Sequence, residues 1–273
     1  MNRVVKFFLT ALSALLIAAP LEAQSLRLPV LSAESAVVID SNNGGVLYSK
    51  NANLRLPPAS TAKVMTALVA LERLKPDQKI LVNSRAANVS PSKAGLTPYA
   101  EYRAIDLILA TLVSSSNDAA VALAETVSGD EKEFAKLMNE KAKRLGMNDT
   151  KFINATGLTE KRQVQYSTAM DLARLLRVAA KNKTIDKMMG VTMASFRGSD
   201  HQIIFIRSHN KMLWRTPRFV KGKTGWTYAS RHTFVGTDYA SDKRITFAML
   251  RSQKPWMDIE RLATFGLLLE KRH

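Results

Sequence analysis

The chain has no cysteine among its 273 residues, which excludes disulfide bonds and thiolate metal sites. Its four histidines show no paired metal-ligand spacing, so we expect neither a metal nor a cofactor; they are His201, His209, His232 and His273. No segment offers the roughly 20 consecutive apolar residues that a membrane-spanning helix needs. Stability and chemistry must therefore come from ordinary packing and from nitrogen and oxygen side chains.

Size and composition indicate a folded globular protein. Hydrophobic residues make up 46% of the chain and charged residues 23%, which suits one domain or two small ones with a substantial core. The net charge of +17 favours polyanionic partners. The basic residues are scattered and no nucleic-acid motif accompanies them, so we expect no nucleic-acid partner. Cell-wall polymers, phospholipid head groups or a merely soluble basic surface all remain open.

The N-terminus has the pattern of an export signal. Arg3 and Lys6 precede a 13-residue apolar stretch at 7–19, and a small residue, Ala23, follows shortly after. We expect a signal peptide at 1–23, a mature domain at 24–273, and an exported protein that is periplasmic or cell-wall associated. An uncleaved membrane anchor is the alternative.

Hydrophobic periodicity divides the chain into strands at both ends and helices between them. Two β-branched runs around Ser-Asn-Asn-Gly predict a hairpin at 36–40 and 45–50. Helical spacing starts near Ser60 and recurs at 104–113, 117–127, 131–145 and 168–181, the last with Ser167 as its N-cap. Strands follow at 220–223, 233–239 and 244–251, and a helix closes the chain at 257–271. We predict an α+β fold: an antiparallel sheet built from both chain termini, with packed helices and a helical lobe.

One sequence pattern suggests an activated nucleophile. Ser60 and Lys63 are three residues apart at a predicted helix start, which stacks their side chains on one face. The serine lies where backbone N–H groups favour developing negative charge, and a buried neutral lysine can accept its proton. An N-cap serine followed by a surface lysine is the alternative interpretation.

Two further motifs follow in order. Ser115 and Asn117 lie in a loop between two predicted helices, where they can face a cleft or simply cap a helix. The third motif, Lys223-Thr224-Gly225, is placed near the end of a predicted strand, and its glycine permits close approach of a backbone or ligand.

The three motifs together resemble the penicillin-recognising serine enzymes. From about residue 34 onward, the sequence around these motifs resembles that of the low-molecular-mass D-alanyl-D-alanine carboxypeptidases and endopeptidases. The segments that carry the resemblance are Pro57 to Thr66, Ser116 to Ala120, Ala155 to Leu158, Tyr166 to Ala169 and Lys223 to Gly225. This resemblance implies the DD-peptidase and β-lactamase type of fold. It implies peptidoglycan stem or cross-link peptides as substrates and β-lactams as covalent inhibitors.

The resemblance also implies a role for each motif residue. Ser60 would attack the D-alanyl peptide bond with Lys63 as proton acceptor, which requires burial and the charge of Lys223 to lower the pKa of Lys63. Ser115 would relay a proton to the leaving amine, and Asn117 would hold the substrate backbone.

The remaining implied roles concern the third motif. Lys223 and Thr224 would fix the ligand carboxylate beside Gly225, while the backbone N–H groups of Ser60 and Trp226 would form the oxyanion hole.

Several alternatives stay open. Carboxypeptidase and endopeptidase are not distinguished, and a penicillin-binding sensor that acylates without hydrolysing peptide, a serine β-lactamase, or a basic polyanion-binding protein would share some of these features. The closing helix supplies Ile259, Leu262, Ala263, Leu267 and Leu268 for packing on the sheet. This favours core burial over an amphipathic membrane anchor.

We predict that β-lactams acylate Ser60 and are released slowly. A class A β-lactamase uses a glutamate four residues before an asparagine to activate the deacylating water. No asparagine between the second and third motifs has one: Ala135, Arg144, Thr150, Val178 and Ile206 occupy that spacing. Mass spectrometry after mixing with benzylpenicillin should show a persistent adduct. Turnover of many cycles per second would contradict this.

Overall fold

The strands of the main sheet come from both ends of the chain, and most of the helices lie between them. The computed structural model describes residues 28–159, 164–214, 219–240 and 243–270. The strands are β1 (Ser35–Asp40), β2 (Val46–Lys50), β3 (Lys79–Leu81), β4 (Glu101–Arg103), β5 (Met193–Arg197), β6 (Ile203–Arg207), β7 (Lys221–Thr227), β8 (Arg231–Ala240) and β9 (Lys243–Ser252). The helices are α1 (Lys63–Arg73), α2 (Ser84–Ala87), α3 (Ala104–Val113), α4 (Asn117–Ser128), α5 (Glu131–Arg144), α6 (Ala169–Ala179), α7 (Lys183–Met188) and α8 (Pro255–Glu270). Short 3-10 turns occur at Ala59–Ala62 and Lys211–Leu213.

The main sheet joins the two ends of the chain. Its five strands are antiparallel in the order β2, β1, β9, β8, β7. The N-terminal β1 lies against the C-terminal β9, with Val37 opposite Ala248. The predicted α+β fold and the predicted assembly from both termini are therefore confirmed.

The two faces of this sheet bury different parts of the molecule. Alternate side chains such as Val37 and Ala248 pack into a core shared with α1, α3, α4 and α6. Their neighbours Val38 and Phe247 pack against α8 on the other face. This follows from the two-residue period of a strand, which lets one sheet carry helices on both sides.

The predicted helices agree with the structure to within a few residues, but one cap is wrong. Thr168, not Ser167, caps α6, and its side chain accepts a hydrogen bond from the N–H of Asp171. Ser167 is unavailable as a cap because its backbone forms a β-bridge with Leu56 in both directions. Its hydroxyl also contacts that of Thr150.

Two further expectations need correction. The Lys223-Thr224-Gly225 motif lies in the middle of β7, not near its end, because β7 continues to Thr227. In α8, Ile259, Leu262, Ala263 and Leu267 are buried as predicted, whereas Leu268 is 43% exposed. Leu268 lies on the solvent face of that helix. The antiparallel pair of β3 with β4 and the hairpin of β5 with β6 were not predicted, because their strands are only three to five residues long.

Some expectations concern residues outside the described ranges. The signal peptide at 1–23 and Ser241 and Asp242 of the last turn fall there. Within the described ranges, none of the helices has the length and apolarity to cross a membrane.

A buried carboxylate fastens the beginning of the described chain to its last helix. Asp258 on α8 is 1% exposed and accepts hydrogen bonds from the N–H groups of Ser32 and Ala33 at 3.0 and 2.8 Å. The hydroxyls of Ser32 and Ser252 each donate to it at 2.7 Å. This cluster joins three segments that are distant in sequence.

We predict that Asp258→Ala lowers the free energy of unfolding by about 3 kcal/mol, because it leaves several buried donors without an acceptor. Denaturant titration measures this change. Glu133→Ala is the matched control: its carboxylate pairs with Lys136 on the surface at 46% side-chain exposure, so the expected loss is below about 1 kcal/mol. Equal losses in the two variants would contradict the role of Asp258.

Candidate active site

Ser60 lies in a 3-10 turn that leads into α1. The preceding residue, Ala59, has a positive φ of 48°, which is costly for a residue with a Cβ. The turn is held by the carbonyl of Pro58, which accepts hydrogen bonds from the hydroxyls of Thr61 at 2.6 Å and Thr233 at 3.0 Å. The serine is therefore held in place from its own turn and from β8.

Lys63 places its amine directly against this serine. Its Nζ lies 3.1 Å from Oγ of Ser60 and donates to Oδ1 of Asn117 and to the carbonyl of Thr156, each at 2.6 Å. A neutral amine has two N–H donors and one lone pair. With both donors used by Asn117 and Thr156, the lone pair faces the hydroxyl of Ser60.

The surroundings of Lys63 favour this neutral form. The side chain is fully buried, and its pKa is lowered well below the usual value by burial and then by the charge of Lys223. Glu131 and Asp118 act in the opposite direction but more weakly. Lys63 can therefore act as a base toward Ser60.

Lys223 supplies a second buried amine, from the far end of the chain. It is 1% exposed, and its Nζ donates to the carbonyl of Thr224 at 2.7 Å. Burial lowers the pKa of Lys223 to about 7, so a substantial fraction of this side chain is cationic at neutral pH.

Gly225 lets the backbone of β7 approach the nucleophile. A Cβ at this position would lie 2.8 Å from the backbone nitrogen of Ser60 and 2.4 Å from Oγ1 of Thr233. Any side chain would force β7 away from the turn. Gly225 therefore permits a close contact between the C-terminal sheet and the serine.

The second motif reaches the site from the junction of α3 and α4. Ser115 is buried and has a φ of 60°. Asn117 begins α4, and its side-chain amide joins Lys63 to the carbonyl of Pro91. Asp118 accepts hydrogen bonds from the backbone of residues 94–96. These contacts fix the loop that forms one wall of the site.

The predicted residues converge on one cavity of about 370 Å³. Six of them line it: Ser60, Ser115, Asn117, Thr224, Gly225 and Trp226. Lys63 is bonded to two of these, and Lys223 immediately precedes Thr224 in β7. The structure thus brings all eight predicted site residues together.

Sequence reasoning missed several residues that shape this site. Thr156 accepts from Lys63, and His209 lines the cavity. A Cβ on Gly157 would lie 1.9 Å from the carbonyl oxygen of Ala59. Thr156 and Gly157 occur in a segment that resembles the family, but nothing in their spacing indicates a contact with Lys63. His209 carries no motif at all.

The described part of the chain contains no cluster of three or more histidine, aspartate or glutamate side chains that could hold a metal. The arrangement instead offers an accessible hydroxyl, a neutral amine beside it and a cationic amine nearby. Such a site can form a covalent acyl-enzyme with a ligand that carries a negative charge. The fold and site together define a serine enzyme of the acyl-transfer class.

Comparison with known proteins identifies the family. Residues 22–253 match the D-alanyl-D-alanine carboxypeptidase family, and the chain belongs to that family of serine peptidases. It is 34% identical over 228 residues to the D-alanyl-D-alanine carboxypeptidase DacF of Bacillus subtilis, covering 82% of this chain and 58% of that protein. It is equally identical to a D-alanyl-D-alanine endopeptidase of Escherichia coli, covering 81% of this chain and 72% of that protein. The chain thus spans little more than half the length of the Bacillus relative.

Solved structures agree with this assignment. A D-alanyl-D-alanine carboxypeptidase from Mycobacterium tuberculosis superposes with a TM-score of 0.85 at 31% identity, covering 90% of this chain and 95% of that one. The Streptomyces K15 DD-transpeptidase has the same fold, with a TM-score of 0.82 at 24% identity and coverage of 89% and 99%.

We predict that Gly157→Ala impairs both stability and acylation of Ser60. Its φ of 79° and the contact with Ala59 leave no room for a Cβ, so the serine turn must shift. We expect a loss of at least about 3 kcal/mol and at least tenfold slower labelling by fluorescent penicillin.

Gly129→Ala is the control for this variant, because Gly129 has a similar φ of 84° but open space around it. It should cost only about 1 kcal/mol of backbone strain. Denaturant titration and labelling rates measure both effects. Normal labelling by Gly157→Ala would show that the turn does not depend on this contact.

Proposed function

We propose that this chain hydrolyses the D-alanyl peptide bond of peptidoglycan stem or cross-link peptides through an acyl-enzyme on Ser60. The observation that carries the proposal is the contact of Ser60 with the buried amine of Lys63, beside a cavity that is lined by Thr224, the neighbour of Lys223 in β7. The names of the relatives supply the substrate class. The contacts within the site supply a role for each side chain.

In the first step, Ser60 attacks the carbonyl carbon that precedes the terminal residue. Its hydroxyl proton moves to the lone pair of Lys63 as the bond from Oγ to carbon forms. The backbone N–H groups of Ser60 and Trp226 stabilise the oxyanion. The short distance between β7 and the serine turn supports this role, because Gly225 brings the strand to the nitrogen of Ser60.

In the second step, the carbon–nitrogen bond breaks, and Lys63 passes the proton that it took from Ser60 through Ser115 to the leaving amine, which makes Lys63 neutral again. Asn117 holds the substrate backbone, and its contact with Lys63 also aims the base. Lys223 and Thr224 bind the free carboxylate of the ligand, because they place a cation and a hydroxyl on the edge strand β7. Water then attacks the ester as Lys63 accepts a proton from it; when the bond to Oγ breaks, Lys63 returns that proton to Ser60.

The same geometry predicts that β-lactams inhibit this protein. A β-lactam presents a carboxylate and a strained amide, so it would occupy the anion site and acylate Ser60. We further propose that the protein acts outside the cytoplasm, at the cell wall. The proposed signal at 1–23 supports export, and the basic surface would suit anionic wall polymers.

Carboxypeptidase and endopeptidase activities remain alternatives within this proposal. Relatives with each name are equally similar to the chain. Both reactions use the same acyl-enzyme and differ in the amine that leaves: free D-alanine or the amine of a cross-linked peptide.

We predict that purified protein digests isolated sacculi, and that Ser60→Ala reduces the rate at least a thousandfold because no acyl-enzyme forms. Mass spectrometry identifies the products. Released D-alanine indicates a carboxypeptidase, and separated cross-links indicate an endopeptidase. Ser84→Ala, which removes an exposed hydroxyl on α2, should leave the rate unchanged.

The outcome also separates enzyme from sensor. Penicillin labelling of Ser60 without release of any peptide product would contradict the proposed hydrolysis and indicate a penicillin-binding sensor. Absence of labelling altogether would indicate that the motifs do not form a working nucleophile.

A further inference from the structure

His209 lies between two anchored residues and lines the catalytic cavity. On one side, the backbone N–H of Ser208 donates to the carbonyl of Thr192 at 2.8 Å. On the other, Asn210 is 1% exposed and its side chain donates to the carbonyl of Val220 at 2.8 Å. The backbone around His209 is therefore fixed against the residues that immediately precede β5 and β7, which holds the imidazole beside the cavity.

The surroundings of this imidazole are electropositive. Its pKa is lowered by burial and then by the charges of Lys223 on β7 and Lys63 on α1. The other titratable side chain in the cavity wall is His232 on β8, and no acidic residue belongs to the described lining. The nearest cations on its own segment are engaged elsewhere: Arg207 stacks on Trp214 and Lys211 on Trp256.

An anionic ligand would change this balance. A carboxylate bound by Lys223 and Thr224 would offset the charge of Lys223 and attract a proton to the nearby imidazole. The pKa of His209 would then be higher in the complex than in the free protein. By linkage, the ligand binds more tightly to the protonated form, so affinity rises as pH falls through the range between the two pKa values.

We propose that His209 takes up a proton when the free carboxylate of the substrate binds, and completes the anion site formed by Lys223 and Thr224. This rests on the proposed function, because it concerns the carboxylate of the same D-alanyl peptide. It makes His209 a binding residue that adjusts substrate affinity to pH. A rise of one unit in its pKa on binding corresponds to about tenfold tighter binding at low pH than at high pH.

The test uses the Ser60→Ala protein and an N-acetylated peptide that ends in D-alanyl-D-alanine. Calorimetric titration at several pH values between 6 and 8, in buffers of different ionisation enthalpy, gives both affinity and the number of protons taken up. We expect proton uptake with the original His209. Introducing His209→Gln should reduce that uptake and flatten the pH dependence, leaving the part that belongs to Lys63 and Lys223.

Two further variants make the assignment specific. His209→Arg carries a permanent charge, so this variant should still bind the peptide tightly at pH 8. Its side chain should take up no proton on binding. His232→Gln removes the other histidine of the cavity wall, whose pKa is also lowered by burial, and should leave proton uptake unchanged.

The two failures can be told apart. Equal proton uptake in His209→Gln and His232→Gln, with peptide still bound, would overturn the role of His209 and leave the proposed function intact. If no variant binds the peptide, and penicillin fails to label the protein with Ser60 restored, the proposed function falls and this inference falls with it.

Discussion

The structure depends on the burial of one amine that must stay uncharged. A charged lysine inside a protein is costly, whereas a neutral one needs only acceptors for its two N–H groups. Asn117 from α4 and Thr156 from the segment before α6 provide these acceptors for Lys63. Helix α1, helix α4 and the segment before α6 therefore meet at Nζ of Lys63. The same contacts leave its lone pair directed at Ser60, so the arrangement that makes burial tolerable also creates the base.

The sheet completes this arrangement from the opposite end of the chain. β7 is an edge strand, so one side of its backbone is free to face the serine turn and a ligand. Thr233 of the neighbouring strand donates to the carbonyl of Pro58 just before the nucleophile. Because β8 and β9 connect β7 to the N-terminal β1, the position of Ser60 depends on strands from both termini. The three short motifs can therefore form one site only when the whole domain is folded.

The sequence predicted those parts of the molecule in which local rules decide the outcome. Periodicity located α3, α4 and α5, and the spacing of Ser60 and Lys63 predicted their contact because both lie in consecutive turns. The positions of Thr156 and His209 could not be predicted, since each lies in irregular backbone whose direction is set by tertiary contacts. The prediction of the N-cap of α6 was wrong for a related reason. Ser167 is an ordinary cap residue, but its backbone forms a β-bridge with Leu56.

The two buried lysines divide their roles through their mutual repulsion. Both lose solvation, and the charge of Lys223 lowers the pKa of Lys63 further, so the neutral form is favoured at Lys63. One lysine thereby becomes the base and the other the anion site. When a carboxylate binds to Lys223, it offsets the charge that had lowered the pKa of Lys63. The base then becomes stronger only in the complex, at the moment when Ser60 must give up its proton. Substrate binding and nucleophile activation are thus coupled by electrostatics within a single site.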